Sequence, residues 1–174
     1  LPDWLRNIAK VFPVQHLAHG RITLGEYSVA PMPTRAGIGE VARVFLDAGV
    51  PCEVSPDLAR ARWEKLVWNI PFNGLGVASS CGLDSVLAGT LPPDGPAGPC
   101  LTTDRLLADP AWERMVREVM SEVIAGARGR GLPVDPGLAE DHLARTRTMG
   151  AYQASTLVDF ARGQPLELES LFLE

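Results

Sequence analysis

The sequence predicts a mainly α-helical chain that is preceded by one strand–helix–strand unit of an α/β sheet. Two observations carry this prediction. Residues 21–54 change from an alternating pattern to a helical one and back to a short extended stretch, whereas apolar residues recur at helical spacing from residue 56 onward. With 174 residues, 46% of them hydrophobic and 21% charged, the chain can form one sizeable core or two small ones.

The strand–helix–strand unit is read from three consecutive segments. Residues 21–27 alternate between apolar and polar side chains as a strand does. Residues 34–48 place four apolar side chains on one face of a helix, and Gly49 is expected to end that helix. Residues 51–54 are short and extended. This order is the repeat of an α/β sheet. Because the unit is too small to stand alone, we expect it to complete a sheet whose other strands lie upstream.

Helices are predicted for most of the remaining chain. Asp57 can cap a long helix over residues 57–80, and Pro71 inside it removes one backbone hydrogen bond and frees carbonyl groups near Asn69. Residues 89–99 are rich in glycine and proline and predict a loop. Asp109-Pro110 is expected to open a helix over residues 110–130, and further helices are expected within 138–162 and from 164 onward.

Composition excludes several classes of function. The net charge of −5, without a compensating basic run, argues against a nucleic-acid backbone as partner. Cys52, Cys81 and Cys100 lack the CxxC spacing of a zinc site and do not suggest a disulfide framework, and the three histidines lack ligand spacing, so we expect no metal. With no apolar run of membrane-spanning length and no leader pattern, we expect reduced thiols and a cytoplasmic location.

The most informative feature is a polar stripe in the run WEKLVWNIPFNGL, residues 63–75. Lys65, Asn69 and Asn73 lie at i, i+4 and i+8, which places them on one narrow face of a helix that is otherwise apolar all round. We expect such a helix to be buried, and burying an ammonium group without a purpose is costly. The stripe therefore predicts a site that holds and protonates a small, oxygen-rich substrate.

Each candidate residue also has an alternative interpretation. Lys65 can extend to solvent along its aliphatic stem while the two asparagines bond to helix ends. Ser155 can donate to a substrate carboxylate, but a serine in a helix commonly bonds to its own backbone. Glu167 follows Pro165 in the first turn of a predicted helix, where a carboxylate favourably meets the helix dipole.

Two blocks of the sequence resemble one known family. The run at residues 63–75 closely resembles the signature of ketopantoate reductases (2-dehydropantoate 2-reductases). Ser155-Thr-Leu-Val-Asp159, with Arg162-Gly163 and Glu167, is similar to that family's Ser-x-x-x-Asp…Gly-Arg-x-x-Glu block. Supporting similarity lies at residues 21–26 and around Glu122. The likeness covers most of the chain, in the order in which the family has these blocks.

The resemblance implies a fold and a reaction. The family joins an N-terminal Rossmann domain to a C-terminal helical domain that is similar to that of 6-phosphogluconate dehydrogenase. Residues 1–56 would then be the end of an incomplete NADP-binding domain, and residues 57–174 a helical substrate domain without its closing helices. The family reduces a 2-oxo acid with NADPH in a site between the two domains, and this chain looks like a piece of a longer protein.

The resemblance also implies roles for individual residues. Lys65 would be the general acid that protonates the ketone oxygen as hydride arrives. Asn69 and Asn73 would bind substrate hydroxyl or carboxylate groups, and Ser155 would contact the substrate carboxylate. Glu167 would hold a cofactor or substrate hydroxyl.

Further expectations follow from the resemblance. Glu122 matches a family glutamate near the cleft. NADPH would be bound mainly by the upstream domain, so this chain alone is expected to be inactive, and a homodimer is a possible assembly. The family reaction is the reduction of 2-dehydropantoate to pantoate, on the route to pantothenate and coenzyme A. The alternatives are a related reductase of another ketone or imine, and a non-catalytic helical module for dimerisation.

Overall fold

The structure is a computed structural model that describes residues 21–26, 36–96, 98–166 and 168. The chain divides into two compact units, and the division falls between Ala61 and Arg62. The assignment of residues 1–56 and 57–174 to two functional domains stays a prediction. Within the described residues, no helix combines the length and the apolar character that crossing a membrane requires.

The first unit contains the predicted strand–helix–strand motif. Strands β1 (Ile22–Leu24) and β2 (Cys52–Val54) pair in parallel, with Ile22 opposite Cys52, and helix α1 (Ala36–Asp47) connects them. Parallel strands require such a crossover connection. Gly49 ends α1 in a left-handed conformation with φ of 77°, which glycine adopts without steric cost. The parts of the predicted strand and helix at Tyr27 and Thr34 lie outside the described residues.

Helix α2 (Leu58–Ala78) runs without interruption through Pro71 and ends in a 3-10 turn at Ser79–Cys81. The predicted cap is present, because Asp57 Oδ1 accepts a hydrogen bond from the backbone N–H of Arg60 at 2.9 Å. Pro71 is buried within this helix, and its nitrogen carries no N–H that would need a hydrogen-bond acceptor there.

Among the described residues, five shorter helices follow α2, namely α3 (Leu83–Ala88), α4 (Thr103–Ala108), α5 (Pro110–Gly129), α6 (Leu138–Arg147) and α7 (Ser155–Ala161). The start of α5 is capped as expected, because Asp109 Oδ1 accepts hydrogen bonds from the backbone N–H groups of Ala111 at 2.8 Å and Trp112 at 3.3 Å. Gly131, with φ of 81°, follows the end of α5.

The core of the second unit forms where α2, α4, α5 and α6 meet. The apolar stripe of α5 is buried from Trp112 through Ala127, as its spacing predicts. On α2, Phe72 is buried and stacks in a tilted arrangement on Trp68, with ring centroids 4.9 Å apart. The mainly helical fold with a strand–helix–strand unit is confirmed. The helix predicted from residue 164 extends into Glu167 and 169–174, which lie outside the described residues.

Candidate active site

The polar stripe of α2 changes from exposed to buried along the helix. Lys65 is exposed, Asn69 is half-buried, and Asn73 has only 2% of its surface accessible. The expectation that Lys65 lies on a fully buried helix is therefore wrong. The energetic cost of removing an ammonium group from water explains this, since the long side chain reaches solvent while its stem stays beside the helix.

Asn73 is held by the protein through both ends of its amide. Its Nδ2 donates to the carbonyl oxygen of Asn69 at 2.9 Å. Its Oδ1 accepts the backbone N–H of Thr156 at 3.0 Å and lies 3.5 Å from the hydroxyl of Ser155, which donates to it. The first turn of a helix has N–H groups without intrahelical partners, so Asn73 supplies an acceptor to the start of α7 from a different helix.

Lys65 and Asn69 differ from Asn73, because their side chains have no protein partner in the described part of the chain. The ammonium group of Lys65 has three donors, and the amide of Asn69 has two donors and an acceptor. Residues four apart on a helix are neighbours on its surface. The first two positions of the stripe thus present adjacent, unused hydrogen-bonding groups to solvent.

The structure brings Ser155 to the stripe but does not connect Glu122 with it. Ser155 is exposed at the start of α7, and its hydroxyl contacts Asn73. Glu122 is exposed on α5, and the described contacts do not link it to α2. Glu167 lies outside the described residues, so its predicted role stays a prediction.

A second group of contacts fixes the part of α2 that carries Lys65. His142 Nε2 on α6 lies 3.3 Å from the carbonyl oxygen of Glu64, and Trp68 Nε1 donates to Thr146 Oγ1 at 2.9 Å. Burial lowers the pKa of His142 below the ordinary value for histidine, so the imidazole is neutral at pH 7. Sequence spacing did not reveal this contact, because α2 and α6 are far apart along the chain.

An apolar cavity of about 470 Å³ lies between the second half of α2, the segment 80–96 and α7. Asn73 is the one member of the stripe that lines it, beside Thr156, and most of the remaining lining is apolar. Lys65, Asn69 and Ser155 do not line this cavity. The exposed donors of the stripe therefore lie outside this cavity. Within the described ranges, no three His, Cys, Asp or Glu residues converge on a metal position.

Comparisons with known proteins indicate which family this chain resembles. Residues 100–173 match the family profile described as the ketopantoate reductase PanE/ApbA C terminal. The chain is 32% identical over 160 residues to a 2-dehydropantoate 2-reductase from a Nostoc species, covering 91% of this chain and 44% of the relative.

Solved structures show the same relationship. A 2-dehydropantoate 2-reductase from Geobacter metallireducens is 39% identical, with a TM-score of 0.72, over 91% of this chain and 46% of that protein. The enzyme of the same name from Methylococcus capsulatus is 34% identical, with a TM-score of 0.69, over 90% of this chain and 43% of that protein. The chain thus spans less than half the length of these relatives.

Fold and sequence together define a class, namely the helical C-terminal domain of a reductase preceded by the end of an α/β sheet. Within that class, the chain is similar to the C-terminal part of ketopantoate reductases, through the profile over residues 100–173 and through the relatives named above.

Proposed function

We propose that this chain supplies the proton-donating and substrate-binding half of an NADPH-dependent reductase that acts on 2-dehydropantoate or a similar 2-oxo acid. The observation that carries the proposal is a difference in hydrogen bonding among the three residues of the stripe. The side chains of Lys65 and Asn69 have donors without a partner in the described residues, whereas Asn73 uses both ends of its amide to bind other parts of the protein. The names of the relatives, all of them 2-dehydropantoate 2-reductases, support the choice of substrate class.

The exposed donors match the chemistry of reducing a 2-oxo acid. When a ketone gains a hydride, negative charge develops on its oxygen, and a protonated lysine can transfer a proton to that oxygen as a general acid. The amide of Asn69 can donate to a substrate hydroxyl or carboxylate oxygen. Ser155 is exposed and can turn its hydroxyl from the Asn73 oxygen, 3.5 Å away, to a substrate carboxylate.

Asn73 fits a supporting role within this proposal better than direct substrate binding. Its side chain is nearly inaccessible, and its oxygen already accepts the Thr156 N–H. It would position Ser155 at the start of α7. Its predicted contact with substrate would require the release of a buried hydrogen bond, which costs about 1 to 3 kcal/mol.

The cofactor would come from outside the described residues. A reduced nicotinamide supplies the hydride in this type of reaction. Most of the connection between β1 and α1 and the predicted cofactor contact Glu167 lie outside the described residues. The parts of the reaction that this chain would supply are therefore the proton and the substrate contacts.

The proposal is tested on the longer protein in which this chain follows a dinucleotide-binding domain. Oxidation of NADPH would be followed with 2-dehydropantoate and with a panel of other 2-oxo acids. The matched variants are Lys65→Ala and Asn69→Ala, with Arg114→Ala, an exposed cation on α5, as the control. We expect Lys65→Ala to reduce kcat by about 100-fold or more, Asn69→Ala to raise KM, and Arg114→Ala to change neither.

Each alternative has its own signature in this experiment. Turnover with another ketone or an imine, but with no 2-oxo acid, would indicate a related reductase with a different substrate. Equal rates for the parent and Lys65→Ala would contradict the role of Lys65. No turnover with any substrate would favour a helical dimerisation module, which sedimentation of the same protein would then show. A homodimer and a cytoplasmic location stay predictions in either case.

A further inference from the structure

Two cysteines flank the neck of the segment that forms one wall of the apolar cavity. Cys81 ends the 3-10 turn after α2, and Cys100 lies on the chain as it returns toward α4. Between them the chain makes an excursion over residues 82–99 that contains α3 and the glycine- and proline-rich loop. Both thiols are free and half-buried.

Hydrogen bonds on either side of Cys100 hold the returning chain against the turn. The backbone N–H of Gly98 donates to the carbonyl oxygen of Ser80 at 2.9 Å. The backbone N–H of Leu101 donates to Ser79 Oγ at 2.8 Å. The segment that carries Cys100 is therefore bound to the two residues that immediately precede Cys81.

The sulfur of Cys100 points at the same turn. Its Sγ lies 3.9 Å from the carbonyl oxygen of Val77, which is one helical turn before Cys81 and also accepts the hydroxyl of Ser80 at 2.7 Å. Burial raises the pKa of the Cys100 thiol above its ordinary value. Cys100 therefore packs against the turn that ends at Cys81, so the two cysteines flank one junction of the chain.

We propose that Cys81 and Cys100 form a redox-active pair, which a small-molecule disulfide such as oxidised glutathione converts to an intramolecular disulfide. The structure also assigns an order to the two steps. Cys81 lines the cavity and is accessible to a small molecule, whereas Cys100 does not line it, and burial raises the pKa of its thiol.

The reaction balances as two exchanges. The thiolate of Cys81 attacks one sulfur of the small disulfide, which forms a mixed disulfide and releases one thiolate. Cys100 then loses its proton to that thiolate and attacks Cys81 Sγ, which releases the second small-molecule thiolate, and this thiolate takes up from solvent the proton that Cys81 had lost. Two protein thiols are oxidised to one disulfide, and the small-molecule disulfide is reduced to two thiols.

The bond would act on the cavity. Closing the excursion at its neck restricts a loop of about 20 residues, which removes conformational freedom mainly from the open and unfolded states. The cavity wall contributed by this excursion consists of Ser85, Val86, Gly89, Thr90, Leu91 and Pro96. Oxidation would therefore hold this wall in place, and reduction would release it.

The chain offers a matched set of variants for the test. The native protein is incubated with oxidised glutathione, its free thiols are counted, and its disulfides are mapped by peptide mass spectrometry. Cys52→Ser removes the thiol on β2 and serves as the control, whereas Cys81→Ser and Cys100→Ser each remove one member of the pair. Limited proteolysis within residues 82–99 adds an independent readout on a non-reducing gel.

We expect the parent protein to fall from three free thiols to one, with Cys52 remaining. The two proteolytic fragments should stay joined until reductant is added, and the thermal midpoint of the oxidised form should rise by several degrees. Cys52→Ser should behave in the same way, whereas Cys81→Ser and Cys100→Ser should yield separate fragments. Three remaining thiols, a stable glutathione adduct on Cys81 beside a free Cys100, or a bond to Cys52 would overturn the proposal.

Discussion

Asn73 and Thr156 lie 83 positions apart in the sequence, yet the buried amide oxygen of Asn73 accepts the backbone N–H of Thr156 at 3.0 Å. One side chain of α2 thereby fixes the start of α7, and with it the position of Ser155. This bond links the predicted substrate-binding residues to the packing of the helical unit.

The first prediction concerns this bond. Asn73→Ala should lower the free energy of unfolding by about 1 to 3 kcal/mol, because it leaves the buried Thr156 N–H without an acceptor. Asn69→Ala, four residues earlier on the same helix, should change stability by less than about 0.5 kcal/mol. Urea denaturation followed by tryptophan fluorescence measures both, since Trp63, Trp68 and Trp112 all lie in the helical unit. Equal losses of unfolding free energy in the two variants would contradict a structural role for Asn73 that Asn69 does not share.

The second prediction concerns Thr146, which is fully buried on α6. Its Oγ1 accepts from Trp68 Nε1 at 2.9 Å and donates to the His142 carbonyl oxygen at 2.7 Å. Thr146→Val keeps the shape but leaves the indole N–H unpaired, so we expect a loss of about 1 to 3 kcal/mol. Thr148→Val is the matched control, because Thr148 also donates to a backbone carbonyl but is exposed. A similar small effect for both would show that the Trp68 bond contributes little.

The third prediction concerns the close approach of α2 and α7 at Gly76. A Cβ at this position would lie 2.4 Å from Leu157 Cδ1, and Leu157 is itself buried. Gly76→Ala should therefore destabilise the protein by about 1 to 3 kcal/mol, although alanine has the higher helix propensity. Gly129→Ala has no neighbour within 4 Å and should be neutral or slightly stabilising. A stable Gly76→Ala protein would mean that Leu157 can repack freely.

The fourth prediction concerns pH. Burial lowers the pKa of His142 below its ordinary value near 6.5, so the unfolded chain gains a proton at a higher pH than the folded protein does. The free energy of unfolding should therefore fall as the pH drops through about 6.5 toward 5. The carboxylates of Glu113 and Glu140 titrate only at lower pH, because hydrogen bonds to Arg117 lower their pKa values.

His142→Gln isolates this contribution. The variant retains a hydrogen-bonding side chain but does not titrate, so its stability should depend less steeply on pH between about 5 and 6.5. Parallel urea titrations of the parent and the variant measure the difference in slope. Identical slopes would assign the pH dependence to other groups.

The fifth prediction separates catalysis from folding at Lys65. Because this side chain is exposed and has no partner within the described residues, Lys65→Met should change the free energy of unfolding by less than about 0.5 kcal/mol. The thermal midpoint of the variant provides the measurement. A marked drop would show that Lys65 has a structural role and would weaken the assignment of the proton donor.

Local signals in the sequence predict much of the fold. The caps Asp57 and Asp109, together with Gly49 after α1, are residues whose short-range chemistry decides where a helix begins or ends, and the structure confirms all three. The parallel pairing of β1 and β2 follows from the helix between them.

The candidate site is less predictable, because its arrangement depends on contacts between distant helices. Spacing places Lys65, Asn69 and Asn73 on one face but cannot tell which of them is buried. The position of α7 against α2 decides that question, and no local pattern encodes the bond between Asn73 and Thr156. The packing of the Cys100 segment against the turn that ends at Cys81 is also not predictable from local sequence, since residues 82–99 separate the two cysteines.

The graded exposure of the α2 stripe has a consequence for redesign. Substitutions at Lys65 and Asn69 act on side chains that have no partner within the described residues, so we expect a library confined to these two positions to leave most members folded. A library that includes Asn73 should lose more members to misfolding, because this side chain is buried and accepts the Thr156 N–H. Under the proposed function, the helix thus separates positions at which substrate preference can be varied from a position that the fold requires.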